Sequence, residues 1–416
     1  MGGLRSRLDR MLTPRRAALL FLAASLALSA GNVLRFVVSY SLPMNDALWR
    51  WQECAYVLHG FNPFDIMQGT EPVIPYIGDL APSGGTVPWA YVLGNVFNPG
   101  WCSFETVRLY LTTLYATLPV LCAMCLYTYL LEHRWTASRT KALAACLLVF
   151  APSLWANAVF FGNQSGIICC LIVLALFLLR DHEVWAGILL ALAMCKPQIA
   201  AVFFLPLLVR GKWKTILTSA SLVLAAWFLS VRMTRTGPFE MLLQMLSQGL
   251  GYTNSYYSYY GLFNILLQFG VSSRVVLVLD ILFAVLVFAL LARVMFREGL
   301  QDDWLAWFAL ISVLSTCWFY KQSHDYVILM LACVVIFTLD RVPLRAYLSM
   351  FIINGQLLSQ GIPMLAGRLL GMEKARSYPW GKLLESLLIL SLLPHILAAA
   401  RRHKIILAEE TAHDLR

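Results

Sequence analysis

From Ala17 to Ala400 the chain is a succession of apolar runs of roughly membrane-spanning length, and no polar block of domain size interrupts them. Crossing the hydrocarbon core of a bilayer takes about 20 apolar residues of helix. In lipid every backbone N–H and C=O must be paired within its own segment, which leaves helices as the economical solution for runs of this length. Composition agrees, since 60% of the 416 residues are apolar and 13% charged, against about half and a quarter in a soluble domain. The expected fold is therefore all-α: one polytopic transmembrane domain over residues 1–416 with about 12 helices, in a range of about 10 to 13. The runs fall near 17–42, 106–131, 141–160, 163–180, 184–196, 198–209, 215–232, 273–296, 303–320, 325–340, 346–364 and 382–400. Residues 184–209 are too few for two full crossings at about 1.5 Å per residue. They read as two half helices meeting at Lys196-Pro197, where proline has no N–H to continue a helix.

Lys and Arg number 32 against 22 Asp and Glu, a net charge of +10. In a soluble chain that surplus would point to nucleic acid. In this one it orients the bundle, because basic residues collect in cytoplasmic loops; the bilayer is the expected partner and nucleic acid is not. With the amino terminus inside, the inner segments hold 20 of the 32, among them Arg15, Arg134, Arg180, Arg210, Lys212, Arg341 and Arg401. Arg15-Arg16 before an apolar run also resembles the start of a signal peptide, but the run is long enough to cross and reads as the first span. Three outer segments are long enough to fold: 43–105, with interfacial helices; 233–272, rich in tyrosine; and 365–381. Residues 401–416 form a cytoplasmic tail. The outer face thus has the bulk to shape a site.

Some chemistries are absent. There is no G-x-x-x-x-G-K-[ST] phosphate loop, no Rossmann fingerprint, no H-E-x-x-H and no G-x-S-x-G. No D-x-D pair offers a divalent metal a place on a nucleotide-sugar diphosphate. The sequence calls for neither metal nor cofactor. Eight of the ten cysteines lie inside spans, where they behave as small apolar residues. Cys54 and Cys102 share an outer loop, and two cysteines in a loop do not by themselves define a disulfide.

The outer-edge polar residues are few. In Asn45-Asp46-Ala47-Leu48-Trp49-Arg50-Trp51-Gln52-Glu53, helical spacing puts Leu48, Trp51, Ala55 and Leu58 on one stripe and Asp46, Arg50 and Glu53 on the other. That is the pattern of an amphipathic interfacial helix. The residues alone favour Asp46 as a helix cap or a partner of Arg50. Lys196 lies in an apolar stretch, where a cation is costly and marks function by default, with snorkelling to the headgroups as the alternative. His324 ends a span beside Asp325, after Trp318-Phe319-Tyr320-Lys321, and is as well explained by structure as by function. Gly162-Asn163-Gln164 forms a tight turn, for which Gly and Asn need no further reason. Topology nevertheless sends Asp46, Gln164, Lys196 and His324 to one outer boundary. Tyr252, Tyr256, Tyr257, Tyr259, Tyr260 and Trp318 could stack on a sugar or form an interfacial belt.

Several of these segments resemble a known family. Gly162-Asn163-Gln164 leads into an apolar run. Trp185-Ala186-Gly187-Ile188-Leu189 follows and continues to Met194-Cys195-Lys196-Pro197. Leu205-Pro206-Leu207-Leu208-Val209-Arg210-Gly211-Lys212-Trp213-Lys214 closes the stretch. Together they resemble the family 87 glycosyltransferases of the GT-C superfamily. Asn45-Asp46 with Gly60-Phe61-Asn62-Pro63-Phe64-Asp65 is similar to that family's first outer loop, Val87-Pro88-Trp89-Ala90-Tyr91 to its proline-aromatic turn, and His324-Asp325-Tyr326 to its late histidine motif. The resemblance covers about residues 40–340. Two departures stand out: Trp49 occupies a tyrosine position, and Asn163 is inserted into what is often a Gly-Gln pair.

The resemblance implies a GT-C-type enzyme of a bacterial plasma membrane that works on the non-cytoplasmic side. It would transfer a sugar of the mannose or arabinofuranose class from a polyprenyl-phosphate donor to a lipid-linked or glycan acceptor of the envelope, with inversion and without a metal. It makes Asp46 the base and gives the donor phosphate to Lys196 and His324. Gln164, Asn163, Trp318, Tyr256 and Tyr257 would then shape the substrate pocket. A transporter or flippase of a lipid-linked sugar is the alternative, since broken helices and midplane charge also mark transport sites.

Overall fold

The computed structural model describes residues 44–80, 86–147, 153–255, 262–318, 322–355, 357–358 and 374–414, with a few positions among the first 43. Most of the first apolar run and of the third outer segment, together with Tyr256 and Tyr257, lie outside the described residues. Among those described there is helix and no strand.

The first outer segment folds into α1 (Asn45–Leu58), α2 (Pro63–Gln68) and α3 (Ala90–Leu93). Asn62 starts α2 by accepting from Phe64 N at 3.1 Å, with Pro63 at the first helical position, where a missing N–H does no harm. Next come α4 (Phe104–Glu132), capped by Ser103, then α5 (Arg139–Leu147), α6 (Ser153–Phe161) and α7 (Ser165–Leu178). The expected break in 184–209 is present. Helix α8 (Glu183–Ala193) ends, the chain turns and bends through Lys196, and α9 (Pro197–Ala200) restarts at proline. A single 3-10 turn joins α9 to α10 (Phe204–Val209). Then follow α11 (Trp213–Thr234), α12 (Pro238–Ser255), α13 (Ser273–Arg297), α14 (Trp304–Cys317), α15 (Met330–Phe337), α16 (Leu344–Asn354), α17 (Lys374–Leu390) and α18 (Leu393–Asp414).

Four stretches are long and apolar enough to cross a membrane: Phe104–Glu132, Trp213–Thr234, Ser273–Arg297 and Gly381–Glu409. These are peripheral. Val278, Leu282, Val285 and Leu286 on α13 stay more than half exposed, an apolar face that water would not tolerate over this length and lipid would. The shorter helices form the centre. Every residue of α14 from Leu305 to Cys317 is buried, as are Ser165 to Val173 on α7, and α8 packs between α7 and α11. A helix apolar all round is wrapped by other helices, and its own length need not match the bilayer.

Helices α4, α7 and α14 each run between two polar clusters at opposite ends of the bundle. At one end, basic side chains tie helix ends together. Lys141 donates to Thr338 O at 2.7 Å, Arg402 pairs with Asp340 at 2.6 Å, Lys212 with Glu183 at 2.8 Å, and Arg210 with Asp302. Asp303 caps α14 by accepting from Ala306 N, and its other oxygen meets His403 Nδ1 at 2.7 Å. His403 Nε2 lies 2.6 Å from His133 O, and Trp135 stacks on the ring. One imidazole on α18 therefore ties the ends of α4 and α14. Replacing His403 with Ala is expected to cost about 1–3 kcal/mol through the acceptors it leaves unpaired, read as a lower Tm in detergent.

Candidate active site

At the opposite end, α1 meets the turn before α7. Gly162 makes that approach possible: its φ is +63°, and a Cβ there would lie 2.6 Å from Ala47 Cβ and 3.1 Å from Met44 Cβ. Asn163 follows, its carbonyl accepting from Tyr115 OH at 2.7 Å. Asp46 sits in the first turn of α1. It is not the cap, which is Met44; instead its Oδ2 accepts from Asn163 Nδ2 at 2.6 Å.

The broken helix brings the cation to the same place. Because α8 stops before Met194 and α9 starts at Pro197, Lys196 lies in the bend between them, outside helical conformation, and its ammonium turns toward α7. The break is held on both sides. Trp89 Nε1 donates to Met194 O at 2.8 Å, while Ser315 Oγ and Trp318 Nε1 donate to Ile199 O and Gln198 O at 3.0 Å each. Lys196 Nζ is 2.8 Å from Asn163 Oδ1, 2.5 Å from Ser165 Oγ and 2.5 Å from Asp325 Oδ1. An ammonium has three protons, and three protein acceptors surround this one. The pair is nearly enclosed, with Lys196 at 13% and Asp325 at 2% side-chain exposure.

Asp325 is fixed from several directions. Its Oδ2 accepts from Gln322 N at 2.9 Å and its Oδ1 contacts Ser165 Oγ at 2.5 Å. His324 Nε2 lies 3.6 Å from the same Oδ1, too far for a hydrogen bond, and this buried nitrogen has no hydrogen-bond partner among the described residues. The result is a continuous polar chain, Asp325 to Lys196 to Asn163 to Asp46, with His324 beside its first member and an unsatisfied donor or acceptor facing it.

The structure thus joins Asp46, Asn163 and Lys196 directly, sets His324 alongside, and buries Gln164 as the residue that opens α7. Trp318 reaches the same stretch through its hydrogen bond to Gln198 O, two residues after Lys196. Sequence reasoning passed over Ser165 and Asp325 as site residues. The signal for Asp325 was available: a buried lysine needs a counter-ion, and an acid stands next to the histidine already singled out.

One face of α1 differs from expectation. Glu53, placed with the solvent-facing side, is 1% exposed. It accepts from Arg50 Nη1 and Thr86 Oγ1 at 2.6 Å each, because residues 86–91 fold over that face. Burial works against the Arg50 charge, but Glu53 beside it and Asp46 one turn away outweigh this and hold its pKa above the ordinary value. Cys54 and Cys102 are unpaired thiols.

A family model, glycosyltransferase family 87, matches residues 96–317, which is 222 of the 416 positions. The chain belongs to glycosyltransferase family 87. The matched span includes Asn163, Gln164 and Lys196; Asp46 precedes it and His324 and Asp325 follow it, joined to it by the contacts above. No curated protein and no solved structure matches the chain. For a glycosyltransferase whose helix α1 rests on Gly162, the consequence is testable. Gly162→Ala forces a left-handed backbone on alanine, about 1–2 kcal/mol, and pushes α1 away from Asn163. Transfer is expected to fall by up to about 100-fold, the effect of a misplacement of about 1 Å, in protein that still runs as a single species on size exclusion.

Proposed function

We propose that this family 87 enzyme transfers a sugar of the mannose or arabinofuranose class from a polyprenyl-phosphate donor to a lipid-linked or glycan acceptor of a bacterial envelope. The site would lie on the non-cytoplasmic side of the plasma membrane. The observation that carries the reading is the meeting of a carboxylate, an ammonium and a buried, unpaired imidazole nitrogen at one end of a lipid-embedded bundle. The basic cluster at the other end supports the orientation.

In the proposed step the acceptor hydroxyl oxygen attacks the anomeric carbon from the face opposite the phosphate. The anomeric C–O(phosphate) bond breaks and its electron pair leaves with polyprenyl phosphate, while the hydroxyl proton passes to Asp46. Asp46 Oδ2 is occupied by Asn163, so Oδ1 takes the proton. The leaving phosphate gains negative charge in surroundings of low dielectric, where a fixed cation and a donor act strongly. His324 Nε2 supplies the open contact. Lys196 joins it by exchanging Ser165 Oγ for a phosphate oxygen; Ser165 is the acceptor it can release most cheaply, because that hydroxyl also touches Asn163 Oδ1 and Asp325 Oδ1 at 2.5 Å each. Its single proton would still be donated to one of these two oxygens after Lys196 turns away. No metal enters this scheme. Gln164 and Trp318 would border the sugar.

The purified protein in nanodiscs, given radiolabelled polyprenyl-phosphate mannose or arabinofuranose with an extracted glycolipid acceptor, is expected to release polyprenyl phosphate and a labelled product. Movement of intact donor between leaflets without cleavage would instead make it a flippase.

A further inference from the structure

Asn163 was grouped with the residues that touch the sugar, yet both ends of its amide are committed within the protein. Its Oδ1 receives Ser165 N at 3.0 Å and Lys196 Nζ at 2.8 Å, and its Nδ2 donates to Asp46 Oδ2 at 2.6 Å. The amide has only one workable orientation. Turned over, it would set its NH2 against a backbone N–H and an ammonium, neither of which can accept, and its oxygen against a carboxylate. Asn163 is itself 8% exposed, and its backbone is pinned by Tyr115. The amide oxygen is fully engaged by these contacts, and one of the two N–H groups is committed to Asp46.

We infer that Asn163 is a positioning residue for the base: Lys196 and Ser165 N fix its amide, and the amide holds Asp46 Oδ2 so that Oδ1 is the oxygen left to meet the acceptor hydroxyl. The inference rests on Asp46 being the base of the proposed transfer. It also gives Lys196 a second duty besides the phosphate, since the cation polarises the amide that grips the carboxylate. The residue that departs from the family's usual Gly-Gln pair is then the link between the two halves of the site, in that the donor-side cation and the acceptor-side carboxylate have no direct contact and share only this amide.

The test compares wild type, Asn163→Ala and Asn163→Asp with the radiolabelled donors. Asn163→Ala is expected to lower kcat about 10- to 100-fold, the range for losing a hydrogen bond to a charged group, with the donor KM within about twofold of wild type, as uniform binding is untouched. Asn163→Asp keeps the oxygen that serves Ser165 N and Lys196, and therefore the turn, but presents an acceptor to Asp46; its kcat is expected to fall at least as far. A raised donor KM with kcat intact, or wild-type kcat in Asn163→Asp, overturns the inference. A second readout does not depend on transfer. Labelling of Asp46 by a water-soluble carbodiimide, followed by peptide mass spectrometry, is expected to rise several-fold in Asn163→Ala because Oδ2 is freed. Unchanged labelling overturns the inference even if the wild type transfers neither sugar, an outcome that would count against the proposed reaction and leave the labelling to decide on Asn163.

Discussion

Asp46→Asn is expected to reduce sugar transfer by about 10²- to 10⁴-fold, the contribution of a positioned general base, while donor binding stays within about twofold. The substitution is close to isosteric, and the network tells which way the new amide will face. Asn163 Nδ2 is a donor, so the side-chain oxygen of the substituted residue turns toward it and keeps the contact that Asp46 Oδ2 makes at 2.6 Å. The new NH2 then occupies the place of Oδ1, where it can donate but cannot receive the acceptor's proton. Lys196, Asp325 and His324 are undisturbed, and with them the proposed phosphate contacts. The variant should therefore express, melt near the wild-type temperature and bind labelled donor, yet turn over almost none of it. Transfer at the wild-type rate by purified Asp46→Asn removes Asp46 from the reaction. Loss of donor binding in parallel with turnover would place it against the donor instead.

How much of this site was visible in the sequence depends on the kind of information each part needs. The all-helical bundle follows from apolar run lengths, and the helix break from Pro197 next to a lysine that lipid would not accept unpaired. Charge counting sends Asp46, Gln164, Lys196 and His324 to one end, and the contacts among Asp46, Asn163, Lys196 and Asp325 are of that kind. Partner choice is different. The residues alone paired Asp46 with its own helix, through a cap or Arg50, since local partners are all that spacing can count. The hydrogen-bond partner is 117 residues away, brought in by a turn whose glycine admits α1, while Arg50 feels Asp46 only through its charge. Glu53 shows the same limit: helical spacing separates two faces, but what covers the polar one is decided by residues 86–91. Ser165 carries no signal of its own, being a small residue at a helix start like many others.

Lys196→Met should cost stability as well as activity, and the two losses should be separable. Removing the ammonium leaves Asp325 buried and without its cation. Breaking a buried pair from one side costs about 3–5 kcal/mol. Gln322 N and Ser165 Oγ still hold the carboxylate, which argues for the lower part of that range, and Met fills most of the volume that Lys196 vacates. A clear fall in Tm is expected in detergent. Adding Asp325→Asn removes the charge that Lys196 had balanced while preserving an oxygen for Gln322 N, so the double variant should recover most of the lost Tm. It should not recover transfer, because neither the cation for the phosphate nor the anchor for the Asn163 amide is restored. A double variant as unstable as Lys196→Met would mean that the ion pair is not the source of the loss. A stable double variant that transfers sugar at the wild-type rate would leave Lys196 with a purely structural role, and the leaving phosphate would have to be stabilised by His324 and groups beyond this chain of four.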